Sequence, residues 1–86
     1  DLSIEIDDAL PAAQVRDTIR QAAGPTLISI REVARYQGAG VAAGAVSLSV
    51  RLTFRTTGHT LTDAEVRTST DRVVSALEHA HHAKLR

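Results

Sequence analysis

AVSLSVRLTFRTTGHTLTDAEV, residues 45–66, predicts a strand followed directly by a helix. Its first half alternates apolar and polar side chains, the period of two expected of a strand with one buried face and one open face. Gly58 interrupts the strand, and Thr62 with Glu65 has the spacing of a helix capping box. The apolar positions of the strand are Val46, Leu48, Val50, Leu52 and Phe54, and the polar positions are Ser47, Ser49, Arg51, Thr53 and Arg55.

The sequence before this stretch predicts two strands and one helix. Residues 2–7 alternate apolar and polar side chains, which indicates a first strand. Apolar residues at helical spacing predict a helix over about residues 11–23, between a proline and a glycine. The β-branched run of residues 27–36 predicts a second strand, whose alternation breaks around residues 31–33 as a β-bulge would break it.

The sequence after Gly58 predicts a second helix over about residues 62–80 and a short final strand over residues 84–86. The order strand, helix, strand, strand, helix, strand is the split βαβ pattern of ferredoxin-like α+β folds, with two helices on one face of an antiparallel sheet. That fold places the first and third strands at the centre. We therefore expect Glu5 and Asp7 to lie beside Arg51 and Arg55. The predicted buried stripe of the second helix comprises Leu61, Val66, Val73, Val74 and Leu77.

Length and composition indicate one small module. The chain has 86 residues, no cysteine and zero formal net charge, which excludes disulfides and any global attraction to nucleic acid. No apolar run is long enough to span a membrane, so a soluble setting without a membrane partner is expected. The first residue is Asp1 rather than methionine, so we expect residues 1–86 to be one domain cut from a longer chain.

Two local patterns have both a functional and a structural interpretation. The glycine-punctuated stretch GAGVAAG, residues 38–44, resembles a phosphate loop, but it lacks the lysine and the following helix that such loops use. We expect a hairpin loop. His79, His81 and His82 could form a metal site, but no carboxylate or cysteine at fixed helical spacing completes the ligand set, so a solvated helix end is favoured.

The charged residues of the predicted open face also have two interpretations. They could form cross-strand ion pairs on a solvated surface. Alternatively, Arg51 and Arg55 could bind phosphates while Tyr36 stacks on a base. An independent enzyme is disfavoured because no nucleophile or paired carboxylate stands in a recognisable catalytic arrangement.

Landmarks along the whole chain carry a family resemblance. They are Asp1-Leu2, Ala23-Gly24-Pro25, Tyr36-Gln37-Gly38, Ser47-Leu48, the run Arg51 to Arg55, the run Thr60 to Asp63, Glu65-Val66 and Leu85-Arg86. In this order and spacing, all 86 residues resemble the ferredoxin-fold anticodon-binding domain that ends the β subunit of bacterial phenylalanyl-tRNA synthetases.

The resemblance implies a non-catalytic domain, without a cofactor, that binds the anticodon stem-loop of the phenylalanine tRNA. By motif position, Tyr36 corresponds to the tyrosine that stacks on an anticodon base in that family. Ser47 and Arg86 correspond to the serine and arginine that contact the loop. The implied partners are the tRNA, the remainder of the parent polypeptide and the synthetase α subunit. The resemblance also implies that the domain is the C-terminal end of that polypeptide and that the setting is cytoplasmic.

The sequence also departs from the family pattern. Ala34 replaces an aspartate that can read a guanine edge, and Ala45-Val46 replaces a basic pair. His59 replaces an arginine, and His81-His82 replaces Phe-Gly. These departures leave a second hypothesis open, in which the module has lost anticodon reading and serves as a protein-interaction or docking domain in a larger biosynthetic enzyme.

Overall fold

The computed structural model describes residues 2–86 and contains the predicted elements in the predicted order. They are β1 (Leu2–Asp7), α1 (Ala12–Ala23), β2 (Leu27–Tyr36), β3 (Ala45–Phe54), α2 (Asp63–His81) and β4 (Lys84–Leu85). The four strands form one sheet in the order β2-β3-β1-β4, and all neighbouring strands are antiparallel. These features confirm the ferredoxin-like α+β fold and the central position of β1 and β3.

The two helices end close to their predicted bounds because local signals define them. α1 follows Pro11 and ends at Gly24, which adopts φ 80° and donates its backbone N–H to the Arg20 carbonyl. α2 begins with the predicted capping box, in which the Thr62 hydroxyl accepts from the Glu65 N–H and the Glu65 carboxylate accepts from the Thr62 N–H. Within residues 2–86, neither helix is long and apolar enough to cross a membrane.

The core lies between the helices and one face of the sheet. The fully buried line of α2 runs through Ser69, Val73 and Leu77 at intervals of four residues, the spacing of one helix face. Only part of the predicted stripe is therefore correct, since the other three members are half-buried. The buried apolar residues are Leu2, Ile4, Ile6, Val15, Ile19, Ala23, Val46, Leu48, Val50, Val73, Leu77 and Ala83.

β2 carries two irregularities in its register with β3. One lies between Leu27 and Ser29, and the other lies between Glu32 and Ala34, where the sequence predicts a bulge. Before the second bulge Arg31 pairs with Arg51, and after it Tyr36 pairs with Ser47. Side chains five residues apart on a regular strand point to opposite faces. The extra residue in the bulge therefore places Arg31 and Tyr36 on the same, open face.

The register between β1 and β3 differs from the predicted arrangement of charges. Glu5 pairs with Ser47, and Asp7 pairs with Ala45. Because the strands are antiparallel, the acidic end of β1 lies beside the start of β3, and the two arginines lie toward its opposite end. The expectation that Glu5 and Asp7 lie beside Arg51 and Arg55 is therefore wrong.

Candidate nucleic-acid interface

Four polar side chains form one row across the open face of the sheet. Tyr36 on β2 pairs with Ser47 on β3, Ser47 pairs with Glu5 on β1, and Glu5 pairs with Lys84 on β4. Directly paired residues share a face of the sheet, so all four project away from the helices. Three interstrand spacings make the row about 14 Å long. We call these residues the Tyr36 row.

Tyr36 is anchored at its hydroxyl and remains half exposed. Its Oη donates to the Ala39 carbonyl at 3.0 Å, while 49% of the residue's surface is accessible. Gly38 is required for this close approach, because it has φ 137° and an added Cβ would lie 3.1 Å from the Tyr36 Oη. An oriented ring with free surface is suited to stacking on a base.

Glu5 connects the Tyr36 row to two other parts of the molecule. Its Oε1 accepts from the backbone N–H of Ala42 at 3.3 Å and lies 3.8 Å from the Arg86 Nη1. The same arginine approaches the loop, since its Nη2 lies 3.8 Å from where a Cβ at Gly40 would stand. The hairpin of residues 38–44, which we call the glycine loop, therefore meets the Arg86 side chain above the sheet.

Arg86 reaches this position because residues 84–86 pair with β1. Its backbone N–H donates to the Ser3 carbonyl at 2.9 Å, which continues the pairing of β4 beyond Leu85. The structure thus brings Tyr36, Ser47 and Arg86, the three residues implied by the family resemblance, to the same corner of the open face.

Arg51 and Arg55 lie apart from this corner. Arg51 is four residues from Ser47 on β3, about 13 Å along the strand, and it pairs with Arg31. Arg55 follows the end of β3 and donates its backbone N–H to the Thr26 carbonyl. Both arginines line an open groove together with His59. A ligand that contacts both the corner at Tyr36 and the groove at Arg51 and Arg55 must therefore be extended, as a nucleic-acid strand is.

The zero net charge of the chain conceals an uneven distribution. Within residues 2–86, the sheet register places four basic residues but only two acidic residues on the open face. The basic residues are Arg31, Arg51, Lys84 and Arg86, and the acidic residues are Glu5 and Asp7. A local basic surface of this kind favours polyanions at short range without any net charge on the molecule.

The histidine cluster is not uniformly solvated, contrary to the prediction. His81 is half-buried, and its Nε2 lies 2.7 Å from the Thr18 Oγ1 of α1, so this hydrogen bond joins the two helices. His82 is exposed and ends α2 in the left-handed conformation, with φ 54°. Across residues 2–86, no three histidine, aspartate or glutamate side chains are arranged to hold a metal ion.

A second contact of a glutamate carboxylate lies at the start of α2. The His59 Nε2 is 3.2 Å from the Glu65 Oε2, and this hydrogen bond is the main reason that the pKa of Glu65 falls below its ordinary value of 4.5. The backbone N–H of Thr62 lowers the pKa further. Glu65 is therefore held ionised as part of the helix cap and lies away from the Tyr36 row.

Two members of the Tyr36 row have neighbours that the sequence does not predict. The sequence predicts the wrong neighbours for Glu5, and it predicts only that Lys84 lies in the last strand. Alternation predicts their open face, but their neighbours depend on the register between strands far apart in the chain.

The structure also shows where Val46 lies. This residue is completely buried and faces the helices. The replacement of a basic residue by Val46 therefore removes no basic side chain from the open face.

The fold and the Tyr36 row define an α+β domain with an open, partly basic sheet face. The sequence profile described as the ferredoxin-fold anticodon binding domain matches residues 1–86. The chain therefore belongs to the ferredoxin-fold anticodon-binding domain family, which confirms the resemblance.

Several curated relatives share one name. The phenylalanine–tRNA ligase beta subunit of Moorella thermoacetica is 40% identical over 86 residues, 100% of this chain and 11% of the relative. The protein of that name from Psychrobacter arcticus is 38% identical with the same coverage. The one from Synechococcus sp. is 45% identical over 69 residues, 80% of this chain and 8% of the relative. The chain thus spans 8–11% of the length of these relatives.

Proposed function

We propose that this domain binds the anticodon stem-loop of a tRNA, specifically the phenylalanine tRNA, through the open face of its sheet. The observation that carries the proposal is the convergence of Tyr36, Ser47 and Arg86 at one corner of that face. The family description and the name of the relatives support an RNA ligand and this choice of tRNA.

Each side chain has a role suited to a single-stranded loop. The Tyr36 ring stacks on an unpaired base, an interaction that contributes about 1–3 kcal/mol per base. The Ser47 hydroxyl donates to or accepts from a base edge or a ribose hydroxyl. The Arg86 guanidinium pairs with phosphate, and Arg51 and Arg55 contact phosphates farther along the same strand of RNA.

The domain contributes recognition and no chemistry. We propose that it acts as one non-catalytic domain within a longer β subunit, and that the aminoacylation site lies elsewhere in an assembly with an α subunit. This arrangement is consistent with the small share of each relative that the chain spans.

The test is a titration of the 86-residue chain with the isolated anticodon stem-loop of the phenylalanine tRNA, followed by fluorescence anisotropy. Tyr36→Ala is expected to weaken binding by about 5- to 150-fold, the loss of one stacked base. Arg86→Ala is expected to weaken binding and reduce its salt dependence, because a phosphate contact is lost. Arg67→Ala is the control, since it removes the same charge from the exposed surface of α2.

The same titration distinguishes the docking hypothesis, which Ala34 favours. Ala34 pairs with Ser49 on the open face, adjacent to the Tyr36 row, and it cannot accept a hydrogen bond from a base through its side chain. Equal affinity for stem-loops of unrelated tRNAs, or unchanged binding by Tyr36→Ala and Arg86→Ala, would overturn the proposed function.

A further inference from the structure

We infer that Glu5 is a positioning residue for RNA binding, which orients Arg86 and the glycine loop beside Tyr36. The inference rests on the proposed function and extends it to a residue whose negative charge would, by itself, repel RNA. Its basis is the position of one largely buried carboxylate among the side chains assigned to RNA recognition.

The surroundings of Glu5 show that its carboxylate is engaged by the protein. Its side chain is only 16% exposed, although it lies on the open face of the sheet. Both of its described polar contacts, the Ala42 N–H and the Arg86 guanidinium, converge on Oε1. A carboxylate that is removed from water in this way acts mainly on the groups that it contacts.

The glycine loop is attached to the open face at two points. The Tyr36 Oη binds the Ala39 carbonyl, and Glu5 binds the Ala42 N–H three residues later. Both attachments come from members of the Tyr36 row. The loop is therefore oriented by the surface that we propose for RNA binding, and it forms one wall of that surface.

Arg86 is oriented by the same carboxylate. A long arginine side chain has several rotatable bonds, and ordering it during binding would reduce affinity. The ion pair with Glu5 places the guanidinium before RNA arrives and leaves 34% of the side chain exposed to a phosphate. Glu5 thus reduces the entropic cost of the contact that Arg86 makes.

The effect of Glu5→Gln on stem-loop affinity has opposite signs in two cases. In one case Glu5 orients Arg86, and in the other it only repels phosphate. The glutamine oxygen can still accept from the Ala42 N–H, so the substitution mainly removes the ion pair with Arg86. If Glu5 orients Arg86, stem-loop binding weakens, by about two- to fivefold for a partly exposed ion pair. If Glu5 only repels phosphate, the same variant binds the stem-loop more tightly.

Glu32→Gln is the matched control. Glu32 is also a glutamate in an ion pair with an arginine, with 3.6 Å between its Oε1 and the Arg35 Nη1. It pairs with Val50 and therefore lies on the helix side of the sheet. This variant changes the net charge equally, and it is expected to bind the stem-loop as well as the wild-type chain does.

Two further variants separate the contacts of Glu5. In an Arg86→Ala background, Glu5→Gln should cause no additional loss, because the group that it orients is already absent. Glu5→Ala removes both contacts of the carboxylate. It should accelerate hydrogen exchange of the Ala42 amide, whereas Glu5→Gln should preserve protection of that amide.

If the wild-type chain binds the stem-loop and Glu5→Gln binds it equally well or more tightly, this inference is overturned and the proposed function stands. Absence of wild-type binding to the stem-loop would overturn the proposed function and this inference together. Unchanged exchange at Ala42 in Glu5→Ala would overturn the assignment of the loop contact, whatever the RNA titration shows.

Discussion

The direction in which Tyr36 projects depends on a β-bulge in its strand. The bulge between Glu32 and Ala34 shifts the alternation of β2 so that the tyrosine projects from the open face beside Ser47. Without the extra residue, the ring would project toward the helices. Its hydroxyl then binds the Ala39 carbonyl, and Gly38 leaves room for the ring. The ring that we propose to stack on a base is therefore oriented by its neighbours in the chain.

Tyr36→Phe separates the two roles of this side chain. The variant keeps the aromatic ring and removes the hydrogen bond to Ala39, whose net contribution is about 0.5–1.5 kcal/mol or less at an exposed site. We expect stem-loop binding to weaken less than tenfold, a smaller loss than for Tyr36→Ala. The measurement is the anisotropy titration of the two variants side by side. Equal losses would indicate that the hydroxyl, rather than stacking, is the important group.

α2 is the element that the sequence defines best, because its start is encoded locally. Thr62 and Glu65 satisfy each other's backbone N–H groups within four residues. His59 adds a hydrogen bond that lowers the pKa of Glu65 and favours the ionised carboxylate at the helix N-terminus. The end of α2 is less local, since the bond between His81 and Thr18 depends on the packing of α1.

Glu65→Gln should reduce stability in a pH-dependent way. Glutamine can also serve in a capping box, so the difference in stability between the wild-type chain and Glu65→Gln reports the effect of the Glu65 charge. Because the folded-state pKa is lowered from 4.5, the contribution of the charge is complete above that value and is lost as the pH falls through the folded-state pKa. Urea unfolding from about pH 7 to about pH 3 should show a stability difference between wild type and variant that shrinks at the acidic end.

A His59→Asn background is the control for this effect. The pH-dependent part of the difference should become smaller there, because the first cause of the lowered pKa is removed. A difference between the wild-type chain and Glu65→Gln that stays constant across the whole pH range would contradict the assignment.

The whole molecule is stabilised by one small aliphatic core. Side chains from both central strands and both helices meet in it, and Leu77 is completely buried. Leu85 offers a contrast, because it lies on the short edge strand β4 and is 58% exposed. For a domain of this size, the total free energy of unfolding is of the order of 5–15 kcal/mol, so the loss of one core leucine affects the entire fold.

Leu77→Ala is expected to lower the free energy of unfolding by about 2–5 kcal/mol, because it removes apolar contacts and leaves a cavity. Leu85→Ala makes the same chemical change at an exposed position and is expected to alter stability by about 0.5 kcal/mol or less. Urea unfolding monitored by circular dichroism compares the two directly. Similar losses in both variants would contradict the placement of the core.

Much of this architecture could be predicted because its signals are local. The alternation in residues 45–54 and the capping box at Thr62 identify β3 and α2 without reference to the rest of the chain. The order of elements then predicts the sheet topology, and the bulge in β2 is visible as a break in alternation. The prediction failed for Glu5 and for His81, whose partners lie 37 and 63 residues away in the chain.

The sequence by itself determined the ferredoxin-like fold, the family and the identity of Tyr36, Ser47 and Arg86 as candidate contacts, since motif position and hydrophobic period are properties of neighbouring residues. The tertiary structure decided which of the candidates lie together. It joined these three to Glu5 and the glycine loop and separated them from Arg51 and Arg55. The physical reason is strand register, because a shift of one residue reverses every face and is set only when distant strands pair.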